Sequence, residues 1–537
     1  MGRAIKGVAS LRDNGFLYGE FPEPSYLTHV VNSDFHTESK LPRLRQHFIQ
    51  NKDVWALFYW GTFLCTEGKE LNDASVYLKK ALSLFKQEKT LEGEEAAADA
   101  AFNLGRCFDK LGKLREAITA YRESIRFGKK CNTGEGRLVV TKALVNIGCN
   151  LDCQGKLDDA IQPWQEALVF GRNGEILETQ EAAAKAGFNL GVKLKELGKR
   201  EEAYQVLREV VELGRKTNTL EGKESAADAA FWLGNWLAEA GYMSEGENYY
   251  QEAVKIGRGL DTLRGKEAAI LALFALGGHW NEIGRQAEGE DAYKQATELG
   301  RNSKMPRVLE IAASAAYNLA SKLDHSNRGD EAKKFYRHSL ELGRQSDTSI
   351  GKTAAAQAAY NLAFIFHMTE KPEAKQIYLE AITLGKESRT ADGIAMAGKA
   401  LVNIGKILEQ EGQQNQANKY YVEAKELVID IKTIDAQEAF ANALLNLGSN
   451  LRKCGAYSEA EFHYQAVISV SKDTSSPYVK LSAAQAAIFL AQILNENGRL
   501  AEAIQLLTES INLGVACGLP EGQQIADLAT EFNSLLE

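Results

Sequence analysis

Apolar residues recur along the chain at helical spacing, in blocks of nearly constant length. In the block AAFNLGRCFDKLGKLREAITAYRESIRFGKK, which starts at Ala101, one stripe is formed by Ala98, Ala101, Leu104, Gly105, Phe108 and Leu111. That is the i, i+3, i+4, i+7 signature of one face of a helix. Gly112-Lys113 follows as a turn, and Leu114, Ala117, Ile118, Tyr121 and Ile125 make a second stripe. The spacing therefore predicts two helices per block. Small residues at Gly105 and Ala117 allow close backbone approach, and Tyr121 is predicted to fill the groove between the helices.

The block repeats. KALVNIGCNLDCQGKLDDAIQPWQEALVFGRN begins at Lys142 and AGFNLGVKLKELGKREEAYQVLREVVELGRKT at Ala186. A small residue after Leu or Ile anchors each unit: Gly61, Gly105, Gly148, Gly191, Gly234, Gly277, Ala320, Ala363, Gly405, Gly448 and Ala491. The spacings are 44, 43, 43, 43, 43, 43, 43, 42, 43 and 43. One such hairpin cannot bury its own apolar face, so neighbouring units must stack. Seven threonines (90, 133, 219, 262, 348, 390 and 433) stand 15 residues before an anchor. Thr is an N-cap type, so the first helix of each unit is expected to start just after it and to run about 20 residues. A second glycine recurs late in the second helix, at 128, 171, 214, 257, 300, 343, 385 and 514, usually with Lys or Arg after it. Two roles fit that glycine, a C-cap or a close crossing by the next unit's helix. The basic residue suits a helix C-terminus in either case.

The pattern N-L-G-x-x-L-x-x-x-G-x-x-x-E-A-x-x-x-Y-x-x-A resembles the tetratricopeptide repeat, over about residues 55–517. The period exceeds that family's usual 34. It is similar to the longer repeats of kinesin light chains and of Pins/LGN-type spindle-orientation scaffolds. The coiled-coil heptads of the first and the C-terminal G-protein-binding motifs of the second are absent, and a Gly-basic pair replaces the family's terminal proline. The resemblance implies an all-α, right-handed superhelical solenoid of about eleven helix-turn-helix repeats. Residues 1–50 read as a non-repeat arm, 51–517 as the solenoid and 518–537 as a C-terminal capping helix. In this family the first helix of each pair lines the inner wall, and that carries a functional expectation. With the anchor at position 8 of the unit, positions 2, 6, 9 and 13 face away from the core and would line the groove. Position 6 is Asn103, Asn146, Asn189, Asn318, Asn361, Asn403 and Asn446 in seven of eleven units. Asn is a poor helix former, so helix propensity does not explain it. Its amide carries donors and an acceptor together, so a row of them can pair with the backbone of an extended peptide. The other reading is that each Asn bonds the neighbouring repeat and fixes the stacking; the two are not exclusive.

The row is interrupted by Tyr59, Trp232, Ala275 and Phe489. Trp232 and Tyr59 are of the side-chain types that dominate interface energetics. Trp236 and Trp280 fit inter-repeat packing, and Phe364 with Met368 adds an apolar patch. Lys142 and Lys185 beside their asparagines can hold a carboxylate. This is similar to the carboxylate clamp of chaperone-binding members of the family, although the clamp's full set does not map here. Lys399, Lys406, Lys453, Asp99, Asp228, Glu239 and Glu282 make the rest of the stripe mixed in charge.

Composition narrows the partner. Of 537 residues, 45% are hydrophobic and 25% charged, with only 8 Pro, which excludes a largely disordered chain. A net charge of −9 lacks a basic nucleic-acid footprint. No apolar run is read as approaching the ~18 residues of a membrane span. The start, MGRAIKGVASLRDNG, lacks a secretory apolar core, and Lys6 stands where a myristoylation signal has Ser or Thr. Seven irregularly placed cysteines read as free thiols in a reducing compartment, and a cytoplasmic location is expected. Neither HExxH, GxSxG nor GxxxxGK[ST] occurs, and Cys149 with Cys153 lacks a histidine nearby in sequence. The expectation is a non-enzymatic scaffold without cofactor or metal. It would bind a protein or peptide partner, with no nucleic acid and no membrane insertion. Rival expectations are a permanent subunit of a cytoskeletal, ciliary or defence complex, and a peptide-sensing regulator.

Overall fold

A computed structural model describes residues 54–217, 219–369 and 372–536. The predicted N-terminal arm, 1–50, lies outside them. Every regular element among the described residues is helical. Contacts divide the chain into two compact units, one ending at Ala268 and the other starting at Ala269.

The first unit holds five helix pairs: α1 (Val54–Glu67) with α2 (Leu71–Phe85), α3 (Leu91–Lys110) with α4 (Leu114–Cys131), α5 (Gly134–Cys153) with α6 (Leu157–Gly171), α7 (Leu177–Glu196) with α8 (Arg200–Thr217), and α9 (Leu220–Glu239) with α10 (Met243–Arg258). The division falls inside α11 (Leu263–Glu282), which pairs with α12 (Gln286–Gly300). The second unit continues with α13 (Pro306–His325) and α14 (Gly329–Ser346), α15 (Ser349–Met368) and α16 (Glu373–Ser388), α17 (Ala391–Gln410) and α18 (Gln414–Val428), α19 (Ile434–Lys453) and α20 (Tyr457–Val470), and α21 (Pro477–Glu496) and α22 (Leu500–Ala516). A last helix, α23 (Pro520–Leu536), packs on α22.

The predicted cap residues do what was expected of them. The hydroxyls of Thr90, Thr133, Thr219, Thr348 and Thr390 accept a hydrogen bond from the amide of a glycine three residues on. Thr262 does the same for Gly265, and Thr433 for Ala436. Each satisfies one amide that the first helical turn leaves without a partner. The helices they start are 20 residues long. Inside most pairs the turn is made by a glycine in the left-handed region, φ +70° at Gly112 and +77° at Gly412, and between α13 and α14 by Asn327 at +58°. Lys113 N–H then closes the motif on the Phe108 carbonyl at 2.9 Å.

Packing within a pair follows from the anchor. A Cβ built on Gly105 would lie 2.5 Å from Tyr121 Cε1, and one on Gly234 would lie 2.6 Å from Tyr250 Cδ1. Only a residue without a side chain lets the ring seat there. Trp164, Tyr336, Tyr378, Tyr421 and Tyr464 occupy the same position in other pairs and are among the largest fully buried side chains.

The late glycine resolves in favour of close crossing. At Gly128 a Cβ would meet Val140 Cγ2 at 2.7 Å and the Gly136 carbonyl oxygen at 2.9 Å, both on the next pair's first helix. Gly214, Gly343 and Gly385 meet the carbonyls of Gly222, Gly351 and Gly393 in the same way. The basic residue after it does more than complement a helix end. It pairs with an acid on the following second helix: Lys129 with Glu166 at 2.5 Å, Arg172 with Glu209 at 3.2 Å, Arg215 with Glu252 at 2.8 Å and Lys386 with Glu423 at 2.5 Å. Such half-exposed pairs contribute at most about 1 kcal/mol each.

One sequence expectation needs correction. α21 is long and apolar enough, by length and mean hydropathy, to cross a membrane. Its alanine-rich face, with Leu490 and Leu494, sits in the core of the second unit, and 56% of its apolar window is buried inside the protein. A buried core helix meets the same criterion for the same reason, because no face of it needs to be strongly polar.

Replacing Gly105 by Ala should push the Tyr121 ring out of its seat and destabilise the protein by about 1–3 kcal/mol, read as a lowered midpoint in chemical denaturation. Thr348→Ala should remove one cap at about 1 kcal/mol. Its signature would be faster amide exchange confined to the first turn of α15.

Candidate functional site

The candidate stripe lies on the first helices and is mostly half-buried to exposed, although Asn403 and Trp55 are buried. Its asparagines take up contacts that their positions alone did not reveal. In the first unit Asn146 Nδ2 donates to the Tyr121 hydroxyl at 3.0 Å. That tyrosine belongs to the preceding pair and donates in turn to Asp109 Oδ2. Asn150 Nδ2 closes the circuit on Asp109 Oδ1 at 2.6 Å. In the second unit Asn318 donates to Tyr293 at 3.4 Å, Asn361 to Tyr336 at 3.2 Å and Asn403 to Tyr378 at 3.1 Å. Burial pushes the Tyr121, Tyr336 and Tyr378 hydroxyls well above the ordinary tyrosine range. They remain neutral hydroxyls with an acceptor lone pair for the amide.

Not every asparagine joins in. Asn103 Nδ2 caps its own helix carbonyl at Asp99 (3.1 Å), and Asn189 Nδ2 meets Cys149 Sγ at 3.5 Å. Asn446 Nδ2 is buried without a hydrogen-bond partner. The sequence carries a signal for the tyrosine pairing that periodicity within one unit misses. Tyr121, Tyr293, Tyr336, Tyr378 and Tyr421 are each followed 25 residues later by an asparagine of the row. Tyr250 and Tyr464 are followed by Ala275 and Phe489. Tyr250 turns instead to Asn235 Oδ1 at 2.6 Å, and Tyr464 packs against the Phe489 ring at 5.8 Å between centroids.

The amides are thus held by one end. Among the described residues, no hydrogen bond reaches Oδ1 of Asn146, Asn318 or Asn361, and these three side chains are half-buried. The stripe presents a set of oriented acceptors.

The aromatic and charged positions divide. Trp232 is half-buried, with the Lys195 ammonium 5.4 Å from its ring centroid and 5.7 Å from that of buried Trp236. Tyr59 stacks on Trp55 with centroids 6.0 Å apart, and Trp55 is itself buried against Phe85. Phe364 and Met368 are exposed, at 46% and 69%. Among the described residues neither Lys142 nor Lys185 forms an ion pair. Lys142 acts through its field on Glu181 and Lys185 on the Cys149 thiol. Lys399, by contrast, is neutralised by Asp435 at 2.5 Å and Glu438 at 2.9 Å. Asp228 bonds Arg264 at 2.6 Å, yet burial outweighs that pull and pushes its carboxyl up to about 6. No group of three His, Cys, Asp or Glu is placed to hold a metal among the described residues.

Comparison with known proteins agrees with this geometry. Tetratricopeptide-repeat family profiles match residues 98–127, 141–233, 398–427 and 445–512. A profile described as Anaphase-promoting complex subunit 5 matches residues 261–323. No curated protein matches the chain. Among solved structures, BtubC (BKLC) from P. vanneervenii is 18% identical over 43% of this chain and 91% of its own, with a TM-score of 0.35. Human IFIT1 is 14% identical over 84% and 92%, with a TM-score of 0.29. Yeast Tom70 is 16% identical over 91% and 96%, also at 0.29. Scores this low carry nothing beyond the likeness itself. The matched profiles, the repeated helix pairs and the small anchors with their seated aromatic rings make the chain similar to tetratricopeptide-repeat proteins.

Proposed function

We propose that the chain is a non-enzymatic protein-interaction scaffold whose first helices bind an extended segment of a partner. The observation that carries this is the row of one-ended amides. At Asn146, Asn318 and Asn361 a tyrosine hydroxyl takes Nδ2 and leaves Oδ1 without a partner among the described residues. A side chain held in this way has already lost much of the rotamer freedom that binding would otherwise cost. Its acceptor suits a backbone N–H, a group that every non-proline residue of a partner offers. Each such bond contributes about 0.5–1.5 kcal/mol net. Several of them, with an aromatic anchor, reach roughly micromolar affinity after association costs. Trp232 with Lys195 above its ring supplies an anchor of that kind in the first unit. Lys142, Lys185 and Tyr59 extend the face, whereas Asn403 is buried with its Nδ2 on Tyr378.

A second reading has its own support. The amide nitrogens already serve the stacking of one pair on the next, and the profile matched at 261–323 is that of a subunit of a large complex. A permanent place in an assembly would use the same asparagines as architecture.

Two sets of variants separate these readings. One replaces Asn146, Asn318 and Asn361 by Ala, and the other replaces Tyr121, Tyr293 and Tyr336 by Phe. Both sets break the same three stacking bonds, and only the first removes the acceptors. Binding of phage-displayed random peptides should fall at least about tenfold in the asparagine set and by much less in the tyrosine set. Equal losses of melting temperature with no selectable peptide in the parent chain would favour the architectural role. Trp232→Ala should weaken peptides selected on the first unit by about 2 kcal/mol or more, while leaving the melting temperature nearly unchanged.

A further inference from the structure

The repeats act as controls for one another, and the lysine of one of them lacks the anions that two of its siblings have. Four units carry a lysine eleven residues before the anchor: Lys223, Lys266, Lys352 and Lys480. Lys266 is paired with Asp261 at 2.6 Å. Lys352 is held between Asp347 at 2.7 Å and Glu387 at 3.2 Å. At the places corresponding to Asp347 and Glu387, the unit of Lys223 has Asn218 and Gly259 in its sequence, both neutral. Among the described residues neither Lys480 nor Lys223 forms an ion pair; Lys223 is set apart by what surrounds it.

A cavity of about 570 Å³ opens at this spot, between α8, the start of α9 and α10. Arg215, Lys223, Glu252 and Lys255 line it. An adjoining cavity of about 540 Å³ shares Arg215, Glu252 and Lys255 and adds Arg208 and Glu212. The two carboxylates are already engaged, Glu252 by Arg215 at 2.8 Å and Glu212 by Arg208 at 3.7 Å. Lys255, like Lys223, forms no ion pair among the described residues. Two ammonium groups therefore face one pocket without counter-charge. The pocket is of a size that small ligands occupy.

We propose that this cavity binds a phosphate monoester, with Lys223 and Lys255 as the charged groups that hold it. A phosphate monoester carries about −1.5 to −2 charges at neutral pH and three strong acceptor oxygens, which matches two unbalanced ammonium groups. A carboxylate offers half that charge. The site sits on second helices and the start of α9, apart from the asparagine row, and it does not depend on peptide binding there.

The test is isothermal titration of the full chain with inorganic phosphate, O-phosphoserine and adenosine monophosphate. Saturable one-to-one binding is expected for at least one of them, and the preferred ligand identifies the source: free phosphate, a phosphorylated protein or a nucleotide. Lys223→Gln and Lys255→Gln should each weaken it roughly tenfold. Gly259→Glu, which supplies a carboxylate at the place where Glu387 stands beside Lys352, should abolish it. Lys352→Gln, in the unit whose lysine is already paired, should leave it unchanged, as should Asn146→Ala. Absence of saturable heat with all three ligands would overturn the proposal. So would affinities unchanged in both Lys223→Gln and Lys255→Gln, or binding of oligonucleotides without any binding of the monoesters.

Discussion

The close approach of two helix backbones at a residue with little or no side chain is the constraint from which the other features follow. At Gly105 and Gly234 the missing Cβ is the space in which a tyrosine ring sits. At Gly128, Gly214 and Gly343 it is the space in which the next pair's first turn sits. The first contact joins two helices into a pair and the second joins one pair to the next. Interiors are packed to crystal-like density, so neither contact tolerates an added carbon without displacement of its neighbour. The alanine-rich faces of the first helices belong to the same design, since Ala96, Ala97, Ala100 and Ala101 are fully buried and let α3 lie close to its neighbours. Glycine weakens a helix interior by roughly 1 kcal/mol relative to alanine. Its recurrence inside long helices is therefore explained by packing and not by local preference.

Close packing brings polar groups inside and obliges them to find partners. The tyrosine that fills the groove at Gly105 carries a hydroxyl into a buried site, where Asp109 and Asn146 meet it. Ser124 and Ser510, both fully buried, donate to the carbonyls of Ala98 and Ala484 at 2.9 and 2.8 Å. Such bonds add little net stability. Their effect is on register, because a pair stacked out of position would leave a buried hydroxyl or amide unpaired at a cost of several kcal/mol. The ion pairs between successive second helices act on register in the same way from the solvent side.

A repeat with so much of its surface committed to stacking leaves a few positions free to diverge, and divergence there is where function can enter. The first-helix stripe keeps one amide oxygen unclaimed while the nitrogen serves the fold. At the start of α9, Lys223 lacks the acids that neutralise its counterparts Lys266 and Lys352. In both places the distinguishing feature is a polar group whose usual partner is missing or only half engaged.

The amino-acid sequence by itself determined the helix pairs, their period, their caps and the small anchors. Each of these is a local property: a 3.6-residue periodicity, a hydroxyl three residues from an orphan amide, a glycine opposite an aromatic residue in the same unit. It left the late glycine open between capping and crossing, because both uses call for the same residue and differ only in what lies across from it. It also placed Asn146 and Asn361 on one face without showing that Tyr121 and Tyr336 would claim their nitrogens. That bond joins residues 25 apart on different pairs, and the pattern within a unit does not contain it. Lys399 and Lys142 look alike in sequence, yet the fold surrounds Lys399 with acids from a neighbouring helix and gives Lys142 no ion-pair partner among the described residues. Only tertiary structure decides such matters, because hydrogen bonds and charge pairs act across a few ångströms of space, whatever the distance along the chain.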